Sequence, residues 1–223
     1  RGAMGLVFHA WDTNLERAVA IKILSPELRE HPQAMAFFVQ EAKSLAQLNH
    51  SNIVSVYDQT SQGAQTLLIM EFVDGTTLEG ILKQVKPLPP ERALAIIEQL
   101  CNGLAYAHSK RIIHRDIKPA NIFVSREGVV KLGDFGLARV VNELAIRKTE
   151  VRGTPLYMAP EQVLGTDIDH RADLYAVGCT LFELLTGQPP FIEGAVMYHH
   201  VHTPPPAPSS LVGREGTRPS LAC

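Results

Sequence analysis

Apolar and β-type residues concentrate in four short segments of the first third of the chain, at residues 6–11, 18–24, 53–57 and 66–70. Each segment has the length and composition of a β-strand. The turn-forming run Asp12-Thr13-Asn14 joins the first two into a predicted hairpin. Between the second and third segments a helix is predicted, with Pro32 near its first turn and apolar residues at helical spacing: Phe38, Ala42, Leu45 and Leu48.

The pattern changes from strand to helix after residues 71–77, a short connector that contains the turn signal Asp74-Gly75. Residues 90–108 show a helical stripe made of Leu94, Ile97, Cys101, Leu104 and His108. Residues 171–186 show a second stripe, with Asp169 as the predicted cap, Gly187 as the stop and these residues inward: Leu174, Val177, Leu181 and Leu184. A β-rich part followed by a helical part predicts two lobes with a ligand-binding cleft between them.

Composition and charge narrow the function classes. The 223-residue chain is 45% hydrophobic and 20% charged, with a net charge of −2, which is typical of a globular protein and argues against a generic nucleic-acid binder. No apolar run approaches the roughly 20 residues of a membrane span, and the first residues carry no signal-peptide pattern. We expect a cytoplasmic chain, compatible with a membrane-anchored longer parent, and a disordered Pro-rich tail over 203–223.

The run His114-Arg115-Asp116-Ile117-Lys118-Pro119-Ala120-Asn121, followed by Asp134-Phe135-Gly136, is the most informative chemical pattern in the chain. The segment between the two motifs has two short apolar stretches split by Glu127-Gly128, which predicts a hairpin. A hairpin brings its ends together, so Asp116, Asn121 and Asp134 should converge. Converging oxygen-bearing side chains suit Mg²⁺, a hard cation that usually also keeps waters and substrate phosphates.

These motifs resemble those of the protein kinases. The sequence of residues 49–54 and 70–78 is similar to that of the bacterial serine/threonine kinases of the eukaryotic-like type. The resemblance implies an α+β, protein-kinase-like two-lobe fold. Residues 1–70 would form the small β-rich N-lobe without its first strand, 71–77 the hinge, and 78–202 the larger, mainly helical C-lobe without its final helices. The catalytic domain is thus expected to be cut at both ends and incomplete at the C-terminus.

The resemblance also implies the catalytic roles. Asp116 would accept or orient the proton of the incoming hydroxyl, and Lys118 would neutralise charge on the transferring phosphoryl group. Lys22, in the run Val19-Ala20-Ile21-Lys22, would hold the α- and β-phosphates of ATP and pair with Glu41 on the predicted helix. Each of these residues alone reads more simply as a solvated charge. Their common order along the chain favours the catalytic interpretation.

ATP and Mg²⁺ are the implied cofactors. Asn121 and Asp134 would hold the metal, and the glycines Gly2 and Gly5 would let the backbone close over the phosphates. The remaining implied ATP contacts are apolar side chains around the adenine and backbone groups facing it: Val7, Ala20, Phe123, Met70, Glu71 and Val73. The apolar members of this set could equally be ordinary core residues.

The implied partners are proteins that carry Ser or Thr hydroxyls. Lys118 fits the serine/threonine form of the catalytic loop, and Thr154, in the run from Gly153 to Glu161, would shape the substrate pocket. Thr149 is the candidate regulatory phosphosite, with Arg115 as its natural partner and Arg139 as a second. An unmodified loop threonine is the competing interpretation. A homodimer in which one copy phosphorylates the other is a further expectation.

Three functions stay open on sequence grounds. The first is a serine/threonine protein kinase that transfers the γ-phosphoryl group of ATP to protein hydroxyls. The second is a truncated, catalytically impaired, pseudokinase-like scaffold that still binds nucleotide, although Lys22, Asp116 and Asp134 are all present. The third, a small-molecule phosphotransferase, generally lacks the pattern from Gly153 to Glu161.

Overall fold

The computed structural model describes residues 5–24, 32–62, 65–135 and 155–211. Its N-terminal part is a four-stranded antiparallel sheet with the spatial order β1-β2-β4-β3. The elements of this part are β1 (Gly5–Asp12), β2 (Arg17–Leu24), α1 (Pro32–Leu45), β3 (Val56–Gln62) and β4 (Gln65–Glu71).

The predicted hairpin between β1 and β2 is present, and Asp12 closes its turn. The Asp12 carboxylate accepts hydrogen bonds from the backbone N–H groups of Asn14 and Leu15, at 3.0 and 3.1 Å. Asx side chains favour turns because they can satisfy backbone donors in this way. The helix expected after β2 begins at Pro32, and Ala42, Leu45 and Leu48 of its apolar pattern are buried. The Phe38 side chain lies outside the described residues.

The third strand differs from the sequence-based prediction of 53–57. It runs from Val56 to Gln62, and the apolar pair Ile53-Val54 precedes it. Backbone hydrogen bonds join residues 52–54 to Leu132 in the C-terminal part of the molecule instead. Val54 N–H donates to the Leu132 carbonyl, and Leu132 N–H donates to the Asn52 carbonyl, both at 2.9 Å. Apolar content alone does not reveal which sheet edge a segment joins.

The C-terminal part is mainly helical and carries a small three-stranded sheet with the order β5-β6-β7. Its strands are β5 (Gly75–Thr77), β6 (Ile122–Ser125) and β7 (Val130–Leu132), and its helices are α2 (Leu78–Gln84), α3 (Pro90–Ser109), α4 (Pro160–Leu164), α5 (Arg171–Thr186) and α6 (Val196–His202). The connector expected over 71–77 therefore ends in a short strand. The hairpin expected from the pattern around Glu127-Gly128 is β6–β7, which pairs antiparallel.

The core of the C-terminal part corrects both predicted helical stripes. Helix α3 buries Ile97 and Leu104 as expected, but Leu94 is 56% exposed, and Cys101 and His108 are only partly buried. The other buried positions of α3 are Ala93, Ile96, Leu100, Gly103 and Ala107. In α5, Val177 and Leu184 are buried while Leu174 is 49% exposed. The stripes are rotated because small residues such as Ala and Gly mark close helix contacts that a search for large apolar residues overlooks.

Helix α5 begins and ends near its predicted limits. Asp169 lies one residue before the cap position, and its carboxylate accepts the N–H of Arg171 at 2.9 Å. Gly187 ends the helix with φ of 85°, a left-handed conformation that glycine adopts without strain. After α6 the chain makes one 3₁₀ turn at Pro208–Ser210, where the tail was predicted to be disordered. Within the described ranges, no helix has both the length and the apolarity needed to cross a bilayer.

Helices α5 and α6 are joined by a buried polar contact. The Tyr175 hydroxyl and His200 Nδ1 lie 2.8 Å apart, and His200 packs edge-on against the ring of Phe191. His200 is 4% exposed, and its Nε2 is buried without a hydrogen-bond partner among the described residues. Burial lowers the pKa of His200 below its ordinary value of 6.5, and the nearby backbone of Pro155 and Leu156 opposes this only in part.

Leu100→Ala should destabilise the protein much more than Leu94→Ala. Leu100 is fully buried on α3, so its truncation should reduce the free energy of unfolding by about 2–5 kcal/mol, whereas Leu94 on the same helix is exposed and should change it by less than about 0.5 kcal/mol. Urea denaturation followed by circular dichroism measures both. Equal losses for the two variants would contradict the described orientation of α3.

His200→Gln should flatten the acid side of the stability curve. Because the folded-state pKa is lowered, the unfolded chain binds more protons than the folded one between that pKa and 6.5, so wild-type stability falls as the pH drops through this window. The variant lacks this component. Thermal unfolding from pH 7.5 to pH 5 measures the slope, with the exposed His202→Gln as a matched control that should keep the wild-type slope.

Candidate active site

The carboxylate of Asp116 is the centre of a small polar cluster in the loop before β6. Lys118 Nζ donates to both carboxylate oxygens of Asp116, at 2.9 and 2.7 Å. Asn121 Nδ2 donates to Asp116 Oδ2 at 2.9 Å and to the Asp116 backbone carbonyl at 2.8 Å. A 3₁₀ turn at Pro119–Asn121 bends the loop so that residues 118 and 121 face residue 116. The structure thus brings together two predicted catalytic residues, Asp116 and Lys118, and the predicted metal ligand Asn121.

The β6–β7 hairpin carries the second motif back to the first. The strand β6 begins directly after Asn121, β7 ends at Leu132, and the Gly133 N–H donates to the Asn121 carbonyl at 2.9 Å. Asp134 follows with φ of 57°, a left-handed conformation that turns the chain out of the strand. A Cβ at Gly133 would lie only 2.8 Å from the ring of Phe123, so this position accommodates glycine alone without rearrangement.

Lys22 reaches Asp134 across the cleft. Its ammonium lies 2.7 Å from Asp134 Oδ1, and the lysine is 3% exposed. A buried lysine needs an anionic partner because an unpaired charge is costly away from water. The predicted partner, Glu41, lies on α1, but its side chain is outside the described residues. The observed contact therefore links the N-terminal sheet directly to the end of the hairpin.

The predicted adenine contacts lie on the face of the sheet that carries Lys22. Val7 is the register partner of Lys22, and Ala20 is the partner of Met70. Directly paired residues of antiparallel strands project to the same side, and residues two apart on a strand share a face. Val7, Ala20, Lys22 and Met70 thus form one surface of the cleft. Val7 is 56% exposed, so this surface is open to a ligand.

Glu71 and Lys131 form a polar contact at the back of the cleft. Lys131 Nζ lies 2.9 Å from Glu71 Oε1 and 3.1 Å from Oε2. Sequence reasoning assigned Glu71 a role through its backbone and overlooked Lys131. Alternation in β7, with buried Val130 and Leu132 on either side of Lys131, places the lysine on the other face, which is normally read as solvated.

Asp173 supports the catalytic loop through buried hydrogen bonds. It is fully buried, and its carboxylate accepts the N–H groups of His114 and Arg115 at 2.9 and 2.7 Å. The ring of His108 completes the set at 2.7 Å. Burial would raise the pKa of Asp173, but these hydrogen bonds outweigh it, so the pKa is lowered and the carboxylate stays charged.

Two aromatic rings link the catalytic loop to the second motif. His114 is fully buried, its Nε2 lies 2.8 Å from the Gly133 carbonyl, and its ring centroid lies 4.5 Å from that of Phe135. Leu45 of α1 belongs to the same buried core as Phe135. This packing connects the catalytic loop and α1 to the second motif through Phe135.

A cavity of about 300 Å³ lies beside Lys118. Its walls include Leu156 and Tyr157, which precede α4, and Glu183 of α5. Tyr157 donates a hydrogen bond to the Glu183 carboxylate. Burial raises the pKa of both groups because their charged forms are poorly solvated there, and the Tyr157 hydrogen bond opposes this only in part at Glu183. Sequence reasoning had placed only Thr154 near a substrate pocket.

Several predicted residues lie outside the described residues, namely Gly2, Gly136, Arg139, Thr149 and Thr154. Gly5 is described as the first residue of β1. Among the described residues, no cluster of three His, Cys, Asp or Glu side chains is arranged to bind a metal. A metal held by Asn121 and Asp134 would thus take its other ligands from water or from a substrate.

Comparison with known proteins agrees with this arrangement. The protein kinase domain family matches residues 1–205. A probable serine/threonine-protein kinase of Streptomyces coelicolor is 44% identical over 219 residues, which cover 94% of this chain and 32% of the relative. The serine/threonine-protein kinase PknB of Mycobacterium leprae is 43% identical over 217 residues, covering 93% of this chain and 35% of the relative.

Solved structures show the same fold. A crystal structure of the Mycobacterium tuberculosis PknI kinase domain matches with a TM-score of 0.75 at 29% identity, over 95% of this chain and 77% of the solved one. A second crystal structure of that domain, with a further substitution, matches with a TM-score of 0.76 at 30% identity. The two-lobe, kinase-like fold predicted from the sequence is confirmed.

The chain spans about a third of the length of these curated relatives, at 32% and 35%. The similarity therefore covers only about a third of each relative, the part that matches the protein kinase domain of this chain. Motifs, fold and relatives agree on one assignment, and the predicted family is confirmed: this chain belongs to the protein kinase domain family, in its bacterial, eukaryotic-like serine/threonine branch.

Proposed function

We propose that this protein is an ATP-dependent serine/threonine kinase that transfers the γ-phosphoryl group to hydroxyls of protein substrates. The observation that carries the proposal is the cluster around Asp116. The Asp116 carboxylate accepts hydrogen bonds from Lys118 and Asn121. A backbone hydrogen bond between Gly133 and Asn121 brings Gly133, which precedes Asp134, next to this cluster. In a solvated surface loop, two carboxylates, an amide and a lysine do not usually lie together at a cleft.

Asp116 is the residue that meets the acceptor hydroxyl. Its side chain is 22% exposed, so it is reachable from the cleft while both of its oxygens are held in place by hydrogen bonds. Such a carboxylate orients the hydroxyl and accepts its proton. Lys118, whose side chain is 37% exposed, lies next to Asp116, and its positive charge would stabilise the negative charge of the phosphoryl group during transfer.

The donor set fits Mg²⁺. Asn121 uses Nδ2 for its hydrogen bonds and Asp134 uses Oδ1, which leaves Asn121 Oδ1 and Asp134 Oδ2 without hydrogen bonds among the described residues. Both are hard oxygen donors, the type that Mg²⁺ selects. When bound, the ion would neutralise phosphate charge. Asn121 would hold the ion through its amide oxygen while its amide nitrogen donates to Asp116.

The cleft also fits ATP. Lys22 provides a buried cation at the phosphate end, and the surface formed by Val7, Ala20 and Met70 provides an apolar wall for the base. Phe123 packs against the Gly133 position from the C-terminal part and supplies the opposite wall. We assign backbone groups of Glu71 and Val73 to the base edge. Lys22 would contact the phosphates as well as Asp134, because an ammonium has three N–H donors and can serve both anions.

Proteins are the proposed acceptors. The cavity beside Lys118 opens next to the Asp116 cluster and has the size to take a side chain of a polypeptide substrate. Thr154, immediately before Pro155 of the described part, is assigned to this pocket, in keeping with Ser and Thr hydroxyls as acceptors. None of the described contacts favours the alternative of a catalytically impaired scaffold. The Asp116 carboxylate is held by Lys118 and Asn121, and Asp134 is paired with Lys22.

Asp116→Asn should abolish transfer while leaving nucleotide binding intact. Loss of the proton acceptor should reduce kcat with ATP, Mg²⁺ and a generic basic protein substrate by at least about 100-fold. The stabilisation of the fold by Mg²⁺-ATP, measured as a rise in Tm, should remain. Asp167→Asn is the matched control, because Asp167 is exposed and lies outside the cleft-facing cluster.

The outcomes separate the two candidate functions. Activity in the wild type and in Asp167→Asn, with none in Asp116→Asn, supports the kinase. A wild type that binds Mg²⁺-ATP but transfers no phosphate to any protein supports the scaffold. A wild type whose Tm does not respond to Mg²⁺-ATP contradicts both.

We further propose that Thr149 is phosphorylated and that Arg115 binds the phosphate. Arg115 Nε is buried without a hydrogen-bond partner among the described residues, while its backbone is fixed by Asp173. A guanidinium held this way is suited to a phosphate, which carries nearly two negative charges at neutral pH. The phosphoryl group would come from ATP, with ADP as the product, and a second copy of the chain is the proposed catalyst of the transfer.

Thr149→Ala should lower kinase activity by about 10-fold or more if the phosphate orders the loop, and Thr149→Ser should retain it. Mass spectrometry of active wild-type protein should find a phosphate on Thr149, accumulating faster at higher protein concentration. An active protein that is unmodified at Thr149, together with a fully active Thr149→Ala variant, would rule this regulation out.

A further inference from the structure

Lys131 and Glu71 form a two-pronged ion pair at the junction of the two lobes. Lys131 Nζ lies within 3.1 Å of both Glu71 oxygens, and the two side chains are 17% and 21% exposed. Exposed ion pairs contribute little because water and salt screen them. This pair is largely shielded, so its geometry is held more firmly than that of a surface pair.

The Glu71 end of the pair is fixed by the N-terminal sheet. Glu71 is the last residue of β4 and the register partner of Val19 on β2. Its backbone N–H donates to the Ser55 carbonyl at 2.9 Å, and its Oε2 accepts the Ser55 N–H at 3.2 Å. The carboxylate therefore joins two segments of the sheet at the point where the chain leaves for the other lobe.

The Lys131 end is fixed by the strand that leads to the metal residue. Lys131 lies in the middle of β7 and is the register partner of Phe123. The next residue, Leu132, is bonded through its backbone to Asn52 and Val54. Asp134 follows two positions later. Lys131 thus connects the proposed base-binding end of the cleft to the strand that places the proposed metal ligand.

We infer that Lys131 is a positioning residue for the nucleotide, acting through Glu71 to hold the hinge at a fixed distance from Asp134. The inference rests on the proposed function, because it assumes that the base lies against the hinge and the phosphates lie at Asp134. A nucleotide that spans both points binds well only if their spacing is preset. Loss of the pair should therefore weaken binding of nucleotide more than the chemical step or binding of the protein substrate.

A purely stabilising ion pair makes a different prediction. Its loss would lower Tm and the amount of folded protein, but the folded fraction would bind nucleotide normally. The Glu71 carboxylate left behind would retain the Ser55 N–H as a partner, so the fold itself should survive the change.

The experiment compares Lys131→Met with wild type and with Lys110→Met, an exposed lysine at the end of α3. The Kd of Mg²⁺-ADP is measured by calorimetry, and KM for ATP, KM for the protein substrate and kcat by phosphate transfer. We expect Lys131→Met to raise Kd and the KM for ATP by about tenfold, the equivalent of one lost interaction. The other two constants should change less than about twofold, and Lys110→Met should match wild type.

Charge reversal provides the rescue. Glu71→Lys combined with Lys131→Glu should recover at least part of the nucleotide affinity lost in Lys131→Met, because the pair is restored with opposite polarity. Glu71→Gln keeps an acceptor for the Ser55 N–H and gives the same reading should Lys131→Met fail to fold. A Kd within twofold of wild type in Lys131→Met, or in Glu71→Gln where that variant replaces it, overturns the inference. A wild type that binds no nucleotide overturns the proposed function instead.

Discussion

The site depends on the hairpin formed by β6 and β7. A single backbone hydrogen bond, from the Gly133 N–H to the Asn121 carbonyl at 2.9 Å, joins the residue that ends the catalytic loop to the residue before Asp134. The two motifs are separated along the chain, and a short antiparallel hairpin is a local way to return one end to the other. Glycine at 133 allows this closure because a Cβ there would meet the ring of Phe123.

Buried polar contacts hold this hairpin against the rest of the molecule. From the C-terminal side, Asp173 fixes the backbone before Asp116, and its buried charge is matched by three donors. From the N-terminal sheet, Lys22 contacts Asp134. Each contact joins elements that are far apart in sequence, and each would leave a costly unpaired group if broken. The cleft is thus held together by polar contacts at its walls, while the apolar core lies behind them.

The sequence predicted the family, the two-part fold and the approach of Asn121 to Asp116, because these depend on spacing within short segments. The convergence of Asp134 on the same point stays a prediction. It was wrong on the third strand, since Ile53 lies opposite Leu132 in an isolated bridge and the Val54 N–H bonds to the Leu132 carbonyl, outside the four-stranded sheet. It was also wrong on Leu94 and Leu174, because small residues set the contact faces of α3 and α5. Two polar contacts were not predicted, Lys131 with Glu71 and Tyr175 with His200, and the reason is different. Their partners are distant in sequence, and each residue alone resembles an ordinary polar position.

Asn121 and Asp134 are proposed to hold one ion beside Asp116. A crystal structure of the protein with Mg²⁺ and a non-hydrolysable ATP analogue tests it most directly. The account predicts that oxygens of both side chains lie about 2.1 Å from the same ion, that Asp116 stays hydrogen-bonded to Lys118 and Asn121, and that Lys22 contacts the phosphates. An ion bound away from these two side chains, or a nucleotide bound outside the cleft, would contradict it.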